Sequence, residues 1–220
     1  MTGAAVLPVL LGWGTLVGLD LVSFPQGLLS RPLVAATVAG ALLGDLEAGL
    51  RVGLVLELFA LDVLPIGASR YPDFGPGTVA ATVLAAGRSW SEGLGPAVLL
   101  GLVLAMVGGR SIDVVRRING RAVRQSEASL LSGDVRAVTR LQWLGLTTDA
   151  ARSLGLTLLG LLAVVGYRLV PAPAALARTM GLLVVAGGVV AGLHGVSRRS
   201  AGWRWIVLGL GLGGGIAWLA

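Results

Sequence analysis

Asp45, Glu47, Arg51, Glu57, Asp62 and Arg70 stand at short intervals inside Arg31–Asp73, a stretch otherwise apolar enough to lie in a bilayer. A charge at the bilayer centre costs roughly 2.5–3.5 kcal/mol on insertion scales, so such residues normally face a cavity, a partner or a pathway. Carboxylates accept hydrogen bonds, guanidinium groups donate them and amides do both, which is the set of groups that reads a polyhydroxyl ligand. The stretch predicts a polar ligand site built inside the membrane.

Each residue carries its own alternatives. Glu57 sits mid-run, between GLVL and LFAL, and is either a ligand or polar-network residue or half of a structural ion pair. Asp45 follows ALLG and either caps the next helix or joins the site. Glu47 and Arg51, four apart with the acid first, read as a local helix pair. Asp62, before VLP, is a helix-end residue or a weaker member of the network. Asp73 either turns the chain or accepts from hydroxyls. Upstream, LDLVSFPQGLLSRP supplies Asp20, Gln26, Ser30 and Arg31. Arg31, just before Pro32, either lines the site or anchors a helix start. His194, the only histidine, lies between an apolar run and SRR and reads as interfacial. There is no cysteine, which excludes disulfides and thiolate chemistry. No metal motif, phosphate-binding glycine loop or hydrolase triad is present, so no catalytic residue, metal or cofactor is expected in this chain.

The elements that must position these residues are membrane helices. The 220 residues are 55% hydrophobic and 13% charged, with a mean hydropathy of +0.86. That balance predicts an all-α, polytopic membrane bundle. A hydrocarbon core of about 30 Å needs about 20 helical residues. The runs Pro32–Gly44, Leu50–Leu64 and Gly75–Gly87 fall short of that, which predicts broken or re-entrant helices. In LPIGASRYPDFGPG, Pro65, Pro72 and Pro76 with Gly67, Gly75 and Gly77 predict a loop that no continuous helix crosses. The pairs Gly14/Gly18, Gly40/Gly44, Gly49/Gly53, Gly188/Gly192 and Gly209/Gly213 predict close helix–helix approach. The N-terminus lacks a basic n-region and an A-x-A site, so no removable signal peptide is expected.

Gly109–Arg152 is different in kind, with eight arginines against four acids. Val115, Ile118 and Ala122, then Val135, Val138 and Leu141, recur at helical spacing, while Arg117, Arg121 and Arg124 share another face. By the positive-inside rule this segment is cytoplasmic. Arg116, Arg117, Arg121, Arg124, Arg136 and Arg140 either rest on anionic lipid or dock a soluble partner. SGD at 132–134 breaks the segment, with Asp134 as an N-cap. Thr148 or Asp149 is predicted to cap a spanning helix that stops at Pro171, with Arg152 and Tyr167–Arg168 at its ends. A hydrophobic region over 179–193 and a final segment with Trp203, Trp205 and Trp218 follow. The pI near 11.3 does not point to nucleic acid, because the hydropathy opposes it. One membrane domain is expected over 1–220: a motif-bearing half at 1–109, the basic segment at 110–152 and C-terminal helices at 153–220.

The order LDLVSFPQGLLSRPLVAATVAGALLGD, GLRVGLVLELFAL, LPIGASRYPD resembles the membrane subunit IIC of mannose-type (mannose/fructose/sorbose) bacterial phosphotransferase systems. The matching motifs are Asp20, Gln26, Arg31–Pro32–Leu33, Leu43–Gly44–Asp45, Gly49/Gly53, Leu56–Glu57, Gly67–Ala68 and Pro72–Asp73. The resemblance extends to about residue 165; the remainder is shorter than usual and Ala/Gly/Leu-rich. It implies a multi-pass protein of the bacterial inner membrane. Such a permease takes up a hexose together with membrane subunit IID for phosphorylation by phosphohistidine subunit IIB, itself recharged by IIA. It implies a trimer of IIC–IID pairs with a moving core and a scaffold arm, and no phosphorylated residue in IIC. By resemblance, Gln26, Arg31, Asp45, Glu57 and Asp73 belong to the sugar pocket or its supporting network, with Asp20 and Asp62 as weaker members. The other reading is a non-transporting scaffold or sensor that holds a cytosolic phosphocarrier through Arg116–Arg140.

Overall fold

The computed structural model describes residues 3–61, 63 and 69–197. Among them the fold is all-helical: α1 Gly3–Asp20, α2 Pro32–Leu43, α3 Leu46–Ala60, α4 Phe74–Ala85, α5 Trp90–Gln125, α6 Glu127–Leu131, α7 Val135–Leu169 and α8 Ala174–Ser197.

α2 and α3 form a tight antiparallel hairpin. Pro32 opens α2 at its first helical position, where a missing N–H costs nothing. Gly44 closes it in the left-handed region at φ 74°, and Asp45 starts α3 by accepting the Ala48 N–H at 3.0 Å. The helices hold 12 and 15 residues, roughly 18 and 22 Å at 1.5 Å per residue. Neither is long enough to reach across a core of about 30 Å. The two backbones nearly touch: a methyl group on Gly49 would lie 2.4 Å from the Ala36 carbonyl oxygen.

α4 is the centre of the bundle, packed against α1, α2, α3, α5 and α7, with Val79, Ala80 and Ala81 fully buried. Its start corrects the sequence expectation. Gly75, Pro76 and Gly77 do not break a helix there; they form its first turn. First-turn N–H groups have no intrahelical acceptor, so proline is tolerated. The glycines let α4 press on the Val17 and Gly101 carbonyls.

α5 and α7 run 36 and 35 residues, and with α8 they supply three helices long and apolar enough to cross a membrane. Asp134 caps α7, its carboxylate accepting the Arg136 N–H at 2.9 Å. The helix start expected at Thr148 or Asp149 is absent, because α7 passes through both unbroken. The Thr148 hydroxyl instead donates back to the Leu144 carbonyl within the same helix. The distal half of α5, α6 and the proximal half of α7 form an exposed arm, with Leu131, Val135, Val138 and Trp143 on its surface.

Small residues set the helix contacts. A methyl on Gly14 or Gly18 of α1 would lie 2.4 Å from side-chain atoms of Thr157 or Ser153 on α7. Gly188 and Gly192 of α8 face Phe59 and Leu58 of α3. Gly44 is a turn residue rather than a packing one. Gly209, Gly213 and the three C-terminal tryptophans lie outside the described residues.

Candidate functional site

Asp20 ends α1 and organises the loop over 21–31. It is buried, and its two oxygens accept the backbone N–H groups of Gly27 at 2.6 Å and Ser30 at 2.8 Å. The loop needs this hold. Gln26 and Leu28 adopt φ of 58° and 65°, a region that costs a bulky L-residue roughly 1–2 kcal/mol. Backbone forced into sparsely populated regions concentrates at ligand sites, where the surroundings over-determine it.

Beneath the loop lies a cavity of about 370 Å³. Asp20, Gln26, Ser30 and Arg31 supply its polar lining, and Pro72 and Phe74 are among its apolar lining. Arg31 is fixed from α3. Its Nε donates to Glu57 Oε1 at 2.8 Å, its Nη2 donates to the same oxygen, and its Nη1 reaches the Ala60 carbonyl at 3.4 Å. The second Glu57 oxygen accepts the Leu33 N–H at 3.1 Å. One carboxylate therefore neutralises the cavity arginine and caps the positive end of α2.

Behind the cavity is a buried ion cluster. Arg152 of α7 donates from Nη1 to Asp73 Oδ2 at 2.6 Å and from Nε to Asp149 Oδ1 at 2.7 Å. It also reaches the Gly18 carbonyl and the Ser153 hydroxyl, each at 3.1 Å, and the Ser111 hydroxyl at 3.3 Å. Asp149 Oδ2 in turn accepts from the Ser23 hydroxyl at 2.5 Å, which ties the 21–31 loop to α7. Two carboxylates around one guanidinium leave a formal charge of −1, and Asp73 Oδ1 has no hydrogen-bond partner among the described residues.

The residues singled out in the sequence thus separate. Asp20, Gln26 and Arg31 line the cavity, and Glu57 holds Arg31 from behind. Asp73 points to Arg152, while its chain neighbours Pro72 and Phe74 line the cavity. Asp45 lies at the opposite end of α2, bonded to the N–H groups of Gly87 at 2.9 Å and Ala48. Those two bonds, the Gly87 one foremost, hold its carboxyl below the usual carboxylate range. Asp62 lies outside the described residues. On the arm, Arg116 turns inward to the Ser69 carbonyl and the Tyr71 hydroxyl and stacks on the Tyr71 ring, whereas Arg117, Arg121, Arg124, Arg136 and Arg140 are exposed.

Arg152 and Asp149 are the members that sequence reasoning placed elsewhere, as a helix-end anchor and a cap. An acid–base pair three apart inside an otherwise apolar helix was the available signal.

A family model described as the PTS system sorbose-specific IIC component matches residues 5–193. The fructose permease IIC component of Bacillus subtilis (strain 168) is 28% identical over 127 residues, covering 58% of this chain and 46% of that protein. The mannose-specific EIIC component of Escherichia coli (strain K12) is 30% identical over 122 residues, covering 56% and 45%. The sorbose-specific EIIC component of Klebsiella pneumoniae is 37% identical over 89 residues, covering 39% and 34%. These alignments span about half the length of the curated relatives or less. A solved membrane protein superposes with a TM-score of 0.72 at 21% identity, covering 100% of this chain and 95% of its own. A cryo-EM structure of the mannose transporter ManYZ with microcin E492 superposes at 0.64 and 23% identity, covering 96% and 86%. At these identities the two show a shared fold. The family match continues past residue 165, beyond the limit expected from the sequence motifs. By that match the chain belongs to the family of sorbose-specific IIC components of the phosphotransferase system, within its mannose-type group.

Proposed function

We propose that this chain is the sugar-translocating IIC subunit of a phosphoenolpyruvate-dependent phosphotransferase system, and that it binds a hexose in the cavity under the 21–31 loop. The observation that carries the reading is the cavity's make-up. A carboxylate, an amide, a hydroxyl and a guanidinium line it together with Phe74, two prolines and aliphatic side chains. A pyranose has polar edges and apolar faces, and such a site suits both. Its volume of about 370 Å³ lies within the roughly 300–1,000 Å³ usual for small-molecule pockets. Among the site residues, Gln26 and Arg31 contact the sugar, Asp20 shapes the loop, Glu57 sets Arg31, and Asp73 supports the wall through Arg152. Asp45 serves the α2–α3 hairpin.

In this reading the partner in the membrane is a IID subunit, assembled as a trimer of IIC–IID pairs. The phosphoryl group comes from IIB, recharged by IIA, and the arm lies in the cytoplasm. The test is phosphoenolpyruvate-dependent uptake of mannose, fructose and sorbose into vesicles holding this chain with its co-purified membrane partner. Uptake of one of them that falls at least tenfold with Gln26→Ala supports the assignment; sugar binding and uptake unchanged by both Gln26→Ala and Arg31→Gln would sink it.

A second reading draws on the exposed Arg117, Arg121, Arg124, Arg136 and Arg140, which suit a scaffold that holds an acidic phosphocarrier without moving sugar. It predicts carrier binding that is lost when these arginines are neutralised, and no sugar flux.

A further inference from the structure

A second cavity, of about 360 Å³, lies on the other side of the 21–31 loop. Leu21 and Gln26 line both cavities and form the partition between them. The polar lining of the second comes from Ser23 and Gln26 on the loop, Tyr71, Arg116 and Asn119 beside it, and Asp149 of α7. Its apolar complement is Ile112 and Val115, both buried on α5.

Two features mark this as a place for a ligand rather than a packing gap. Asn119 borders the space, and its side-chain oxygen, itself closed off from the accessible surface, has no hydrogen-bond partner; such a group costs about 1–3 kcal/mol when left alone. The charges around the space are also already answered. Asp149 is held by Arg152 and the Ser23 hydroxyl. Arg116 is engaged by the Tyr71 hydroxyl, the Ser69 carbonyl and Asp113. A phosphate ester would bring its negative charge against Asp149, whereas a neutral polyol meets an amide, a phenol, a hydroxyl and a carboxylate edge.

We infer that this cavity is a second binding site for a neutral polyhydroxyl ligand, taking the same sugar as the first cavity, with Gln26 bordering both sites. The inference rests on the reading of the first cavity as a sugar site. It places a second stop for sugar on the side of the loop nearest the basic half of α5.

The chain has no cysteine, so a single introduced thiol reports on one position. Ser30→Cys labels the first cavity and Val22→Cys the second. Each full-length variant is reconstituted with its membrane partner, and its modification by a methanethiosulfonate reagent is followed with mannose, fructose and sorbose as probes. The expected result is that one sugar slows modification several-fold at both positions, with two different half-saturating concentrations. Protection of Ser30→Cys alone overturns the second site, as does protection of both with one shared concentration dependence. Protection of neither overturns the reading of the first cavity and the inference with it. Val115→Cys, also in the second cavity, replaces Val22→Cys should that variant fail to assemble.

Discussion

Arg152 and Asp73, 79 positions apart in sequence, meet at 2.6 Å with side-chain exposures of 6% and 0%. The pair joins α7 to the segment that leads into α4, and Pro72 and Phe74 of that segment line the cavity under the 21–31 loop. Removing one member of a buried pair strands the other, at a cost of about 3–5 kcal/mol. The cluster is asymmetric, however, because Arg152 serves two carboxylates. Arg152→Met should therefore destabilise far more than Asp73→Asn, which leaves a neutral Arg152–Asp149 pair intact. Melting temperatures of the two variants in detergent check this order; equal losses would mean that the two carboxylates do not share the guanidinium.

Glu57 and Arg31 should be energetically coupled in sugar binding rather than additive. Groups in one hydrogen-bonded network typically couple by 0.5–3 kcal/mol. Glu57→Gln frees Arg31 and weakens the cap on α2, so sugar affinity should fall about tenfold, a loss of about 1.4 kcal/mol. On an Arg31→Gln background the same change should cost much less. Sugar binding to the four proteins of the cycle measures the difference.

Glycines on one helix should respond oppositely to alanine. Gly18→Ala pushes a methyl into Ser153 and Pro76 and should destabilise by about 1–3 kcal/mol. Gly12 has nothing within 4 Å of that position, so Gly12→Ala should be neutral or stabilise by up to about 1 kcal/mol. Thermal unfolding of the two variants separates α1–α7 contact from helix propensity.

Asp45 gives the hairpin a pH dependence of known sign. Its carboxyl titrates below the ordinary value of 3.8 because the Gly87 and Ala48 N–H groups favour the charged form. Its stabilisation is fully present above 3.8 and is lost as the pH falls through the lowered folded value. Asp45→Ala should cost about 1 kcal/mol at neutral pH, as loss of an N-cap does. The gap between variant and parent should close in acid. A gap that widens there would contradict the capping role.

The sequence made some of this site readable and hid the rest for identifiable reasons. Glu57 declared itself because a carboxylate mid-run in an apolar helix has few tolerable partners, but its partner Arg31, 26 positions away, is marked by no local spacing. Asp45 was readable as a cap because Gly-Asp after an apolar run joins a left-handed turn to a helix start. Pro76 misled because a proline in a first turn carries the same letter as one that breaks a helix. Asp149 and Arg152 were hidden because Thr148 and Asp149 are N-cap residue types standing where a polar arm meets an apolar span, whereas α7 continues through both. Tertiary contacts across 126 and 79 residues then gave these two their roles, and no local pattern encodes such contacts.

That continuity of α7 has a mechanical consequence. With 35 residues and no internal proline, the helix runs unbroken from the arm into the bundle and lacks the residue that most often imposes a sharp kink. Its exposed end, beyond Thr148, and the guanidinium of Arg152 belong to one lever. Torque applied to the arm is delivered to Asp73 and, through Asp149, to Ser23, and so to the segment that leads into α4 and to the 21–31 loop.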